Sequence, residues 1–278
     1  MAQTYVVGYD ATPAAVAAMR FAARMADATR GEVVAVATHS ERGEHQAEAW
    51  LAGLAGLDVE CRAVRAGSPV EGLSGVADER QASLVVVGAT QDPGSGNLRP
   101  GSVGELLLRR ASCPVAVVPP RWTEAPVATI AVAYGGPESA GALHAAKWLM
   151  HAVGAQLLLV VGVYEPPALR DSNLGAASHP VSEGYEEFSA RQEAEIERIV
   201  DAMPPAIAAE WFLSGPVGAT LVDACRERVD LLVVGARAHG PGRGVPLGSV
   251  SHYVVEHAPC PVLVVPHDMD PWPDGAGA

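Results

Sequence analysis

Basic residues are scarce in this chain of 278: 19 Lys and Arg stand against 32 Asp and Glu, a formal net charge of −13. Such a balance repels phosphate backbones and anionic lipid, and no Lys/Arg run supplies a local exception. Nucleic acid and membrane are therefore not expected partners. Long apolar runs are missing as well. The longest, near Ala152–Val163, is too short to cross a bilayer. Met1–Tyr5 has no basic region ahead of an apolar one, which argues against a secretory leader. Cysteines number four, at Cys61, Cys113, Cys225 and Cys260, with no Cys-x-x-Cys pair and no clustering with His. They read as reduced thiols in a cytoplasmic protein without a metal centre. The chain also lacks a Ser-His-Asp order, a Gly-x-Ser-x-Gly elbow and a His-x-Glu motif. Its five Trp are scattered and form no stacking platform. What is present is core material: 49% of residues are apolar and 18% charged, with 29 Gly and 22 Pro. That composition excludes a chain dominated by disorder.

The chain contains itself twice. Leu84-Val85-Val86-Val87-Gly88-Ala89 recurs as Leu231-Leu232-Val233-Val234-Gly235-Ala236. Gly101-Ser102-Val103 recurs as Gly248-Ser249-Val250, and Cys113-Pro114-Val115 as Cys260-Pro261-Val262. The offset is 147 residues throughout, and 15 of the 36 positions from Leu84 to Pro119 are identical to their counterparts. At the front of each half the offset is 124, as Pro13 matches Pro137 and Gly31 matches Ala155. The second half therefore holds 23 extra residues, placed around Glu165–Glu187. Two copies of one domain are expected, residues 1–121 and 126–270, joined near Arg121–Pro126.

Within each copy, short apolar strands alternate with helical segments. The first copy reads as strands at Thr4–Tyr9, Glu32–Thr38, Asp58–Ala63, Ser83–Val87 and Val115–Val118. Helices are expected at Pro13–Ala28, Gly43–Leu54, Pro69–Arg80 and Gly101–Arg110, with Thr12 capping the first and Pro13 opening it. The second copy repeats the order, with helices at Pro137–Val153, Glu186–Ala202, Pro216–Glu227 and Ser249–His257. Continuously apolar strands such as Leu231–Val234 suit a parallel sheet covered on both faces. Each copy is thus a five-stranded, doubly wound α/β domain. Ligands in such sheets bind beyond the carboxyl ends of the strands, where strand order reverses.

The residues at those ends are the candidates. The first strand ends in Gly8-Tyr9-Asp10 and the fourth in Val87-Gly88; a Gly-rich loop then leads to Gly101-Ser102-Val103 at a helix start. The second copy has Val234-Gly235 and Gly248-Ser249-Val250. Unpaired N–H groups and the partial positive charge of a helix start suit a phosphate. Glycine lets the backbone approach it, and the Ser hydroxyl adds a donor. A plain turn with an N-cap accounts for Gly101-Ser102 equally well. A Walker loop is absent, because Gly96 to Gly101-Ser102 has the spacing without the Lys. Arg237, His239 and Arg243 are further candidates for meeting phosphate, a solvated loop end accounting for them equally well, whereas Cys113 and Cys260 read as buried small hydrophobes. His144, Lys147 and Trp148 read as helix packing.

With these motifs the sequence resembles the universal stress protein family in its tandem form, across nearly all of both halves. Nucleotide-binding members carry Gly-x-x-Gly, nine residues, then Gly-Ser or Gly-Thr, with an acid at the end of the first strand and a closing Cys-Pro-Val strand. The resemblance implies an adenine nucleotide alpha hydrolase-like fold. It also implies ATP, or ADP or AMP, held by Gly8, Tyr9, Asp10, Val87, Gly88, Gly101, Ser102 and Val103 in one copy. In the other copy, Val234, Gly235, Gly248, Ser249 and Val250 would hold it. The chain departs from the pattern at three points. The second glycine is Gln91 in one copy and Ala238 in the other, and the acid's counterpart to Asp10 is Gly135. A side chain forced to positive φ costs about 1 kcal/mol. The implied role is nucleotide-responsive regulation of an unidentified protein partner; the alternative is a scaffold with degenerate loops. Slow ATP hydrolysis ranks lowest, since no Lys, base or metal set is evident. The closing strands Val115–Val118 and Val262–Val265 would pair to make an intramolecular pseudo-dimer, and the whole chain could dimerise further.

Overall fold

The computed structural model describes residues 3–91, 98–99, 101–123, 126–164, 182–204, 208–236, 248–266 and 272. The first half contributes β1 (Thr4–Gly8), β2 (Glu32–His39), β3 (Glu60–Arg65), β4 (Leu84–Gly88) and β7 (Val115–Val118) to a shared sheet. Its helices are α1 (Pro13–Thr29), α2 (Glu44–Ala52), α3 (Pro69–Glu79) and α4 (Gly101–Arg110). The second half supplies β8 (Thr129–Ala133), β9 (Leu157–Tyr164), β10 (Ala208–Ser214), β11 (Leu231–Gly235) and β12 (Val262–Val265). Its helices are α5 (Ala140–Val153), α6 (Ser182–Asp201), α7 (Val217–Arg228) and α8 (Ser249–His257).

Local chemistry explains the helix starts. The Thr12 hydroxyl accepts the Ala15 N–H at 3.2 Å, and Pro13 follows at the first helical position. Ser68 caps α3 in the same way, accepting the Glu71 N–H at 3.2 Å ahead of Pro69. α1 is rich in Ala because it lies close against the sheet: Ala14, Ala15, Ala17, Ala18 and Ala22 are all buried.

The ten strands form one sheet in the order β10-β9-β8-β11-β12-β7-β4-β1-β2-β3. Every neighbouring pair is parallel except β12 and β7, which run antiparallel with Leu263 opposite Ala116. That pair is the seam between the halves, and it covers two closing strands that would otherwise be exposed apolar edges. Side chains alternate across the sheet, so two cores form. Val7 and Val86 face α1, α2, α5 and α6, while Val6 and Val85 face α3, α4, α7 and α8. Strand order reverses between β1 and β4 and again between β8 and β11, which places one crevice in each half.

The structure differs from the sequence reading in four places. Two short strands, β5 (Thr90–Gln91) and β6 (Leu98–Arg99), pair antiparallel where a simple loop was expected. The helix expected from Pro137 begins as a 3-10 turn at Pro137–Ser139 and becomes α-helical at Ala140. Gly136 before it sits at φ +132°, a conformation L side chains rarely adopt, and the Ser139 hydroxyl accepts the Gly135 N–H at 3.0 Å. β3 lies two residues later than expected, at the edge of the sheet, where Glu60, Arg62 and Arg65 blunt it with charge. α6 starts at Ser182, so the last part of the 23-residue insertion is helical; residues 165–181 lie outside the described residues.

Candidate functional site

In the first half, the crevice at the β1/β4 reversal is a cavity of about 260 Å³. Gly8, Tyr9, Asp10, Val87, Gly88 and Val103 border it, so most of the first-copy candidates converge. Asp10 is exposed at its rim, and the following loop aims it. Its Oδ1 accepts the Thr12 N–H at 3.1 Å and the Thr12 hydroxyl at 2.6 Å, while Ala11 turns through φ 58°. One carboxylate oxygen is thereby committed to shaping the loop. Gly88 has a structural duty as well. A Cβ there would lie 2.3 Å from the Ala14 carbonyl oxygen, so only glycine lets the start of α1 close the back of the crevice. Gly101 and Ser102 open α4 as expected, and Val103 in its first turn reaches the cavity wall.

The Gln91 position is extended rather than left-handed, because it pairs with Leu98 across the β5–β6 ribbon. The conformation that would demand glycine is not used there. Ala238, Arg237, His239 and Arg243 lie outside the described residues.

The second crevice, at the β8/β11 reversal, encloses about 250 Å³. Val234, Gly235, Gly248, Ser249 and Val250 all line it, so these five second-copy candidates converge. Gly248 holds φ −59° and ψ 151° as the residue before α8, with no side-chain cap on the helix. Gly248 itself brings no side-chain acceptor to the first-turn N–H groups of α8. The Ser251 hydroxyl donates to the Gly235 carbonyl at 2.9 Å and ties the start of α8 to the end of β11.

Two residues lining this second site, and one that holds its Tyr134, were not found in the sequence. Glu138, in the 3-10 turn, borders the crevice and supplies a carboxylate on the side where Gly135 replaces an acid. Gln192 of α6 donates from Nε2 to the Gly135 carbonyl at 2.8 Å. Glu195, one turn further, accepts the Tyr134 hydroxyl at 2.6 Å. Burial first, then the hydrogen bond and charge of Glu195, push the Tyr134 hydroxyl above its ordinary range. These partners come from an element about 60 residues away, so no local spacing announces them. Proximity to Pro137 was the one signal available for Glu138.

Among the described residues, Cys113, Cys260, His144, Lys147 and Trp148 border neither crevice. Cys113 and Cys260 are buried behind their strands, and Trp148 stacks on Trp272 with ring centroids 5.0 Å apart. Among the described residues no group of three or more His, Cys, Asp or Glu is placed to hold a metal ion. No described helix is long and apolar enough to cross a membrane.

The comparisons with known proteins agree with this architecture. A universal stress protein of Thermus aquaticus, encoded in the 3′ region of a QAH/OAS sulfhydrylase, is 37% identical over 143 residues. The match covers 49% of this chain and 97% of the relative, as one copy of a tandem pair should. A universal stress protein structure from Archaeoglobus fulgidus covers 95% of this chain and 98% of its own at 16% identity, with a TM-score of 0.67. A functionally unknown protein from Pseudomonas aeruginosa covers 96% and 93% at 18% identity, with a TM-score of 0.65. The model of the universal stress protein family matches residues 37–119 and 127–266, one segment in each half, and the chain belongs to that family.

Proposed function

We propose that this chain is a regulatory protein that binds ATP, or a related adenine nucleotide, at one or both strand-end crevices. The observation that carries the reading is the second crevice, where Gly235 and the uncapped start of α8 at Gly248-Ser249 border one cavity. N–H groups and the helix dipole there are suited to a phosphate chain, and no side chain at Gly248 blocks its approach. In the first crevice the Asp10 carboxylate is suited to accept from ribose hydroxyls, and Val103 in the first turn of α4 borders the same cavity. Each crevice is just below the roughly 300–1,000 Å³ typical of ligand pockets, so a small nucleotide suits it better than a larger cofactor. Binding at the strand ends would change the surface offered to a protein partner.

Calorimetric titration of ATP into two variants tests the assignment. Gly248 occupies a backbone region open to any residue, so Gly248→Val should keep the far-UV spectrum while removing the second-crevice binding event. Asp10→Asn should weaken the first-crevice event alone. Undiminished binding in both variants would exclude these sites. Binding absent from the parent protein would favour a scaffold role instead.

A further inference from the structure

The tandem repeat allows Cys225 and Cys260 to be compared with their counterparts position by position. The 147-residue offset matches Cys260 with Cys113 and Cys225 with Asp78. In the first half, Asp78 in the last turn of α3 faces the segment that enters β7. It accepts a hydrogen bond from Ser112, and its charge joins burial in pushing the Cys113 thiol up to about 12. The second half repeats this packing at the last turns of α7, but the facing group is a second thiol. Hydrogen bonding to Cys225, followed by burial, raises the Cys260 thiol well above its ordinary range. Both cysteines are buried, yet both border one cavity of about 310 Å³ beside the linker, with Arg121, Trp122 and Arg226 among its walls. A water molecule's share of liquid volume is about 30 Å³, so the cavity that both cysteines border has room for a molecule the size of hydrogen peroxide.

We propose that Cys225 and Cys260 are a reversible dithiol–disulfide pair, oxidised by hydrogen peroxide. One sulfur, as thiolate, attacks a peroxide oxygen; the O–O bond breaks, and the departing hydroxide takes up a proton to leave as water. The sulfenic acid so formed is attacked by the second thiolate, an S–S bond forms, and a second hydroxide leaves and is protonated to water. Two thiols give up two electrons and two protons, and one peroxide becomes two waters. A small dithiol reductant reverses the reaction by exchange through a mixed disulfide. The bond would join the end of α7 to the entry of β12, the strand at the seam between the halves. Val217 and Leu221, earlier in α7, wall the second crevice, so the crosslink would anchor the far end of a helix that shapes it. The first half cannot form this bond, because Cys113 faces a carboxylate.

The test uses the full-length Cys61→Ser protein, which removes the exposed thiol and with it the simplest route to intermolecular coupling. The folded protein is treated with hydrogen peroxide, denatured, alkylated and mapped by peptide mass spectrometry without reduction. The expected product is about 2 Da lighter before alkylation, lacks two alkylatable thiols, and yields a Cys225–Cys260 linked peptide that dithiothreitol releases. Cys113 keeps its thiol, and adding Cys225→Ser abolishes the linked peptide. Three alkylatable thiols after treatment would overturn the proposal. So would sulfinic acid formed separately on Cys225 or Cys260, a link involving Cys113, or a link that forms only in denaturant.

Discussion

Replacing Gly88 by Ala probes the packing that closes the first crevice, and the repeat provides its own control. A Cβ at Gly88 would lie 2.3 Å from the Ala14 carbonyl oxygen, 2.4 Å from its carbonyl carbon and 2.7 Å from its Cβ. Comfortable contacts between such atoms are about 3.5–4.0 Å, so the start of α1 must retreat by on the order of 1 Å. Two of the three atoms are backbone and cannot rotate aside. The cost therefore falls near the upper end of the usual overpacking range, about 3 kcal/mol. At the equivalent Gly235 the nearest atoms to an added Cβ are 3.7 Å and 3.9 Å away, an ordinary contact. There Ala should be neutral, or stabilising by about 0.5 kcal/mol through the lower entropy of the unfolded chain. For a chain of this size, 1 kcal/mol shifts Tm by about 3 °C. Circular-dichroism melts should show Gly88→Ala about 9 °C below the parent and Gly235→Ala level with it or slightly above. Urea midpoints should move the same way with unchanged slope. If the two variants melted within about 2 °C of each other, the close approach of α1 to β4 would be refuted.

Two further outcomes follow from buried hydroxyls. Burial pushes the Tyr5 hydroxyl up to about 12 from an ordinary 10, its hydrogen bond with Thr29 only partly opposing. The folded value lies above the unfolded one, so the stabilisation is complete below pH 10 and is lost as pH rises through 12. About 3 kcal/mol is at stake, and Tyr5→Phe should flatten the fall in the urea midpoint over that interval; an alkaline limb identical to the parent's would contradict this. Tyr134→Phe removes the hydroxyl that Glu195 accepts at 2.6 Å and should cost about 1 kcal/mol. No loss would mean that α6 is held over the second crevice by other contacts.

The fold was legible because its signals are local or repeated. Val-rich strands, the Thr12-Pro13 helix start and the 147-residue offset need no tertiary information. The seam between Val115–Val118 and Val262–Val265 was implied by the family resemblance, with two apolar edges to cover as its physical reason. The crevices were legible only as far as glycines and helix starts mark them. Glu138, Gln192 and Glu195 were not, since a turn that tightens at Gly136 and a helix about 60 residues further on bring them in. The β5–β6 ribbon escaped for a related reason: two-residue strands carry no periodicity, and pairing alone makes them extended. The Cys225–Cys260 contact was hidden similarly, because the repeat aligns Cys225 with an acid rather than with another cysteine.

The most direct measurement is to purify the protein, denature it, and identify the released small molecules by mass spectrometry. The account predicts ATP, ADP or AMP near stoichiometry, with the ratio to protein reporting whether one crevice or both are filled. A protein that releases no nucleotide, and takes up none from millimolar ATP in calorimetry, would contradict it.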